Sequence, residues 1–144
     1  MINSENNEAD LRISSSIFYN FYDQIRAGLN TKILIEKCHF SECRNNAIYL
    51  INPCSAMLRN NSITRAGRNG ILCEWLTSSH WVEKTRKVQI INNEIQMSNE
   101  NGILICSQDE KFSAHNLKIL ISDNIIKKNG MIGLRVSNLI ITDL

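Results

Sequence analysis

Apolar and polar residues alternate along most of this chain, and the alternation restarts several times in one phase. The clearest copy is residues 88–106, VQIINNEIQMSNENGILIC. With Asn93 as reference, equivalent positions are Ser16, Cys38, Asn61 and Asn124, and Leu144 opens a sixth copy, at steps of 22, 23, 32, 31 and 20 residues. Five residues before the reference stand Leu11, Ile33, Ala56, Val88, Ile119 and Leu139; three before it stand Ile13, Ile35, Leu58, Ile90, Ile121 and Ile141. Two after it stand Phe18, Phe40, Ile63, Ile95 and Ile126. Nine after it a small residue recurs as Ala47, Gly70, Gly102 and Gly133, followed by the apolar pairs Ile48 and Leu50, Ile71 and Cys73, Ile103 and Ile105, Leu134 and Val136. The first copy fits this last part badly, with Ile25, Arg26 and Gly28.

A spacing of two puts alternate side chains on one face, so each apolar run predicts a short strand and not a helix. Asn, Gly and Ser after each run predict tight turns. A repeat of about 22 residues cannot bury its apolar face alone, so the copies must stack on one another. Stacking places equal phases about 4.8 Å apart in parallel sheets. The expected fold is all-β: a right-handed parallel β-helix, a solenoid of about five coils with three short parallel sheets. Residues 1–10 form a polar lead-in, residues 11–144 form the coils, and two long loops, 74–87 and 107–118, leave the third and fourth coils. The sequence stops inside an apolar strand, so the solenoid is expected to be incomplete there or covered by a partner.

The segments NNSITRAGRNGILC, NNEIQMSNENGILI and DNIIKKNGMIGLRV resemble the repeats of right-handed parallel β-helix proteins. These have the pectate-lyase-like (pectin lyase-like) fold. Among them are eukaryotic relatives with carbohydrate-binding and sugar-hydrolase-type repeats, such as β-helix F-box proteins and Shc-binding midbody proteins. The resemblance covers residues 11–144 and implies a fold; it implies no activity, because every coil needs this motif. Leucine-rich repeats are the rival, but they need Leu at several fixed positions and a helix, whereas this chain uses Ile and has no helical stripe.

Composition changes the picture little. A formal charge of +2 on 144 residues makes no strong case for nucleic acid or an anionic membrane. The polar start MINSENNEAD lacks a signal-peptide core, and no apolar run approaches the roughly 20 residues of a membrane span. Five cysteines without close metal-site spacing suggest free thiols in a reducing compartment; the expected location is intracellular and cytoplasmic, in an assembly of cytoskeletal or ciliary type.

Three groups of residues are candidates for a role. Asn61, Asn93 and Asn124 share one phase and should stack as a structural ladder, each amide bonding its neighbours and the turn backbone. The long loops should emerge side by side carrying Trp75, His80, Trp81, Arg86 and Phe112, a composition suited to a protein hot spot or a sugar-stacking platform; the competing reading is that the tryptophans anchor their own loops. Finally, the parity of the first sheet turns apolar residues outward: Leu34, Met57, Ile91, Leu120 and Ile140. In that reading Lys118 shares the column of Gln89, and Leu120 that of Ile91. Sugar hydrolysis would need two carboxylates converging on one groove, yet Glu36, Glu42, Glu94 and Glu100 fall at different points of the coil. Glu36 instead faces Arg59 as a cross-strand ion pair. Arg44, Arg65, Arg68, Lys127 and Lys128 lie in turns, as a solvated edge or a weak phosphate stripe. No catalytic, metal or cofactor residue is expected. The favoured function is a non-catalytic scaffold that binds other proteins in a multi-subunit assembly; the alternatives are a glycan-binding module and a fragment of a carbohydrate-active enzyme.

Overall fold

The computed structural model describes residues 9–28, 31–76, 85–108 and 117–138. All regular structure in these residues is strand, and three consecutive strands make one turn of a coil. Coil 1 is β1 (Ala9–Ser14), β2 (Ile17–Tyr19) and β3 (Ile25–Ala27). Coil 2 is β4 (Thr31–Glu36), β5 (His39–Ser41) and β6 (Ile48–Ile51); coil 3 is β7 (Ser55–Arg59), β8 (Ser62–Thr64) and β9 (Ile71–Trp75). Coil 4 is β10 (Arg86–Ile91), β11 (Glu94–Gln96) and β12 (Ile103–Ser107); coil 5 is β13 (Leu117–Ser122), β14 (Ile125–Lys127) and β15 (Leu134–Ser137). Equivalent strands pair in parallel to give three five-stranded sheets: sheet A from the first strand of each coil, sheet B from the second, sheet C from the third.

The core is built from the repeating columns. In sheet A, Ile13, Ile35, Leu58, Ile90 and Ile121 lie in register; in sheet C, Ile48, Ile71, Ile103 and Leu134 do the same. Ile63, Ile71, Ile95, Ile103 and Ile105 are fully buried, as their phase requires. Each such side chain stabilises the fold by about 1.5–3 kcal/mol relative to exposure. Phe18 and Phe40 stack in sheet B with centroids 4.9 Å apart and planes 8° from parallel.

Two corners recur with a left-handed residue at one fixed place. Between sheets A and B it is Ser15, Lys37, Asn60, Asn92 and Asp123; after sheet B it is Asn20, Glu42, Arg65, Met97 and Lys128. A side chain in this region costs about 1–2 kcal/mol. The geometry persists because it turns the chain while keeping the ladder unbroken: Lys37 N–H donates to the Arg59 carbonyl at 3.2 Å, and Asn92 N–H to that of Ser122 at 3.1 Å. Gly102 is needed for a different reason, close approach, since a Cβ there would lie 2.5 Å from Ile126 Cγ2 and 2.7 Å from the Gly133 carbonyl oxygen.

The asparagine ladder forms as expected. Asn61 Nδ2 donates to Asn93 Oδ1 at 2.9 Å, and Asn93 Nδ2 to Asn124 Oδ1 at 3.0 Å. Each amide also reaches a carbonyl one coil back: Asn61 to Ile35, Asn93 to Leu58, Asn124 to Ile90. Cys38 takes the same place at the start of the ladder, its thiol donating to the Glu36 carbonyl at 3.2 Å. A second ladder stands at the entrance to sheet C and runs the opposite way. Asn101 Nδ2 donates to Asn69 Oδ1, Asn69 Nδ2 to Asn46 Oδ1, and Asn46 Nδ2 to the Asp23 carboxylate, at 2.9, 3.0 and 3.2 Å. Its last acceptor is a carboxylate oxygen of Asp23, which also accepts from the Asn45 side chain at 2.8 Å.

Three expectations are corrected. The first coil is complete: Ile25 pairs with Ile48 and Ala27 with Leu50, one residue earlier in phase than the other copies suggest. The strands also extend into the expected loops, β9 to Trp75 and β10 from Arg86. In coil 5, Leu120 stands opposite Gln89, Ser122 opposite Ile91 and Lys118 opposite Lys87, two residues away from the expected outward columns.

Candidate interaction surface

The outer face of sheet A is assembled by strand parity. Arg12, Leu34, Met57, Gln89 and Leu120 form one outward column; Ser14, Glu36, Arg59, Ile91 and Ser122 form the next. Leu34, Met57 and Ile91 are half-buried and Leu120 is 46 % exposed. Leu34 and Met57 are direct neighbours; Gln89 separates Met57 from Leu120, and Ile91 lies beside Gln89 on the same face. The polar end of the face is closed by Arg59, whose guanidinium grips Glu36 at 2.7 Å. Ile140 lies outside the described residues.

The loop candidates divide. His80, Trp81 and Phe112 lie outside the described residues. Trp75 and Arg86 are corrections: neither is on an exposed loop. Trp75 continues the inward parity of Ile71 and Cys73 and is fully buried. Arg86, two residues before Val88, continues the inward parity of sheet A and is buried as well, and desolvation lowers its guanidinium pKa. The two residues end β9 and begin β10, both turned into the core. The loop exits are adjacent, since Gln108 N–H donates to the Trp75 carbonyl at 3.0 Å.

Three of the five charged turn residues meet acids of neighbouring coils. Arg65 meets Glu42 at 3.0 Å, Arg68 meets Glu100 at 2.9 Å and Lys127 meets Glu94 at 2.8 Å. These exposed pairs add at most about 1 kcal/mol each. They partly offset the cations that a phosphate stripe would use at Arg65, Arg68 and Lys127. Glu74, on the outer face of sheet C, accepts from the Tyr49 hydroxyl and, at 2.9 Å, from Gln108 Nε2. Arg26 lies 5.2 Å from the Tyr49 ring centroid. Burial and the Glu74 carboxylate raise the Tyr49 pKa.

All five cysteines are free thiols. Burial pushes Cys106 up to about 11 and Cys73 up to about 12, so both stay protonated at neutral pH and lack thiolate character. Among the described residues, no group of three or more His, Cys, Asp or Glu side chains could hold a metal ion. A shallow groove follows the corner between sheets A and B, lined by Lys37, His39, Asn60, Ser62, Asn92 and Glu94.

The coil 5 end differs from the rest of the stack. Leu134 is 42 % and Val136 45 % exposed, although their columns are fully buried from coil 2 to coil 4. Ile125, Met131 and Ile132 are exposed beside them. Parity could not have revealed this, because coil 5 spells the same inward pattern as the coils below it.

Neither curated proteins nor solved structures gave a match to this chain. Residues 2–138 match the family described as the right handed beta helix region, and the repeating three-strand coils agree with it throughout. The chain therefore belongs to the right-handed β-helix family.

Proposed function

We propose that this β-helix is a non-catalytic scaffold that docks other proteins within a multi-subunit assembly. The observation that carries this reading is the outer face of sheet A. A sheet face in water is expected to be polar on alternate residues, yet Leu34, Met57, Ile91 and Leu120 all point outward here. Apolar side chains gathered on one outer face in this way suit an interaction site. The pairing of Glu36, Glu42, Glu94 and Glu100 with bases supports a binding role over sugar hydrolysis, which needs two converging carboxylates. Five free thiols support a reducing intracellular compartment.

The test is the double substitution Met57→Lys with Leu120→Lys, on partly exposed side chains that leave the core intact. Proteins that co-purify with the wild-type chain should be lost from the variant, while its circular dichroism and melting are unchanged. Retention of the same partners at the same yield would overturn the proposal.

A further inference from the structure

The outer face of sheet A carries a third outward column, beside its apolar one. Two residues before Leu34, Met57, Gln89 and Leu120 stand Lys32, Ser55, Lys87 and Lys118, in register with one another. Strand parity turns them the same way, about 6.6 Å to one side of the apolar column. All three lysines are exposed. Lys87 and Lys118 are direct neighbours on adjacent strands and form no ion pair with any described residue. Like charges placed side by side in a sheet repel one another. The acids of this face do not relieve them, because Asp10 is held by Arg12 at 3.4 Å and Glu36 by Arg59 at 2.7 Å. The face is thus apolar along its middle and basic along one flank.

The spacing of the coils selects the shape of the occupant. Coils repeat about every 4.8 Å, and one turn of an α-helix advances about 5.4 Å. A helix lying along the stack therefore sets one side chain over each coil. From Leu34 to Leu120 the apolar column crosses three coil steps, about 14 Å, the length of about ten helical residues. An extended strand fits poorly, since the face of a sheet offers its backbone no ladder of hydrogen bonds. A second copy would bring the same lysines against these. A membrane surface would meet both flanks, and the flank opposite the lysines holds the neutral Glu36–Arg59 pair.

We infer that the outer face of sheet A binds an amphipathic helix of a partner protein, its apolar stripe over Leu34, Met57 and Leu120 and its acidic flank over Lys32, Lys87 and Lys118. This inference rests on the reading of that face as a docking surface and names its occupant. Burial of the apolar stripe supplies affinity. The lysines choose among apolar helices and speed their arrival.

The probe is a fluorescein-labelled peptide of about 15 residues, long enough to cross four coils as a helix, with a leucine stripe flanked by Glu. Its controls are a Lys-flanked counterpart and a Glu-flanked version with proline at two interior positions, which cannot form the helix. Binding is read by anisotropy on the whole chain. The Glu-flanked helix should bind saturably, at least roughly tenfold more tightly than either control, and lose affinity as salt rises. The double variant Lys87→Glu with Lys118→Glu should reverse the charge preference; both residues are exposed, so the fold survives. Equal binding of the two charge forms, an unchanged preference in the reversed variant, or equal binding of the proline-broken peptide would overturn the inference. So would phosphatidylserine vesicles that bind the chain more tightly than the peptide does and are released by the same double variant, because the occupant would then be a membrane. If the inference fails while Met57→Lys with Leu120→Lys still loses its co-purifying proteins, the docking reading stands and only the occupant is wrong.

Discussion

Ile103 in coil 4 and Leu134 in coil 5 occupy the same inward column, one fully buried and the other 42 % exposed. The residues are close in size and chemistry, and the strands around them follow the same pattern. The difference comes from the number of neighbours. In this column coils 2 to 4, each between two others, hide the side chain completely, whereas coil 5 leaves about half of it exposed. A repeat is therefore not a unit of stability by itself; its contribution depends on where in the stack it stands.

The sharpest way to break this comparison is to truncate both members. Ile103→Ala should cost about 2–5 kcal/mol, since it leaves a cavity between sealed layers. Leu134→Ala should cost less than half as much, because water already reaches the site. Urea unfolding of the two variants measures the difference, and equal losses would show that coil 5 is sealed in solution.

Next in size is a pair of glycines from one column. Gly102→Ala drives a methyl group into Ile126 and the Gly133 carbonyl and should cost about 1–3 kcal/mol. At Gly133 the nearest atom, Ile126 Cγ2, is 3.3 Å from an added Cβ, with the Ile126 Cβ next at 3.9 Å. Gly133→Ala should therefore be close to neutral in the same unfolding measurement.

The smallest effect has the opposite sign. Ile132 follows Asn101 in the column of the second ladder but has no donor to offer, and Asn101 Oδ1 is buried without a partner. Ile132→Asn would extend the ladder by one step and remove an exposed apolar side chain. It should stabilise the protein by about 1 kcal/mol, raising the melting temperature. A fall in melting temperature would show that the ladder does not propagate into coil 5.

The same contrast explains what the sequence could reveal. The columns were legible because side-chain parity is a property of the strand, and stacking repeats it in every coil. The Asn61, Asn93 and Asn124 ladder was legible because its members hold one phase. The second ladder was missed although Asn46, Asn69 and Asn101 also hold one phase; at its two ends stand Asp23, shifted by one residue, and Ile132, which breaks the pattern. Trp75 and Arg86 were placed on a loop by their residue types, whereas counting by twos from Cys73 and Val88 would have turned both inward. Leu120 was misplaced by a slip of two residues, which leaves its face unchanged but alters its neighbours. The left-handed turns were illegible for a chemical reason: Lys37, Glu42, Arg65 and Met97 carry no local preference for that conformation, and the coil geometry imposes it. The exposure of coil 5 depends on what lies next to it, which no pattern within the repeat records.

The central claim is that the inward columns of coils 2 to 4 are sealed, whereas those of β15 are partly exposed. Native-state hydrogen exchange tests it most directly, by comparing the amides of β12 with those of β15 in one sample. The account predicts that the slowest amides of β12 exchange only through global unfolding, while those of β15 exchange at least roughly a hundredfold faster through local opening. Protection of β15 equal to that of β12 would contradict the account.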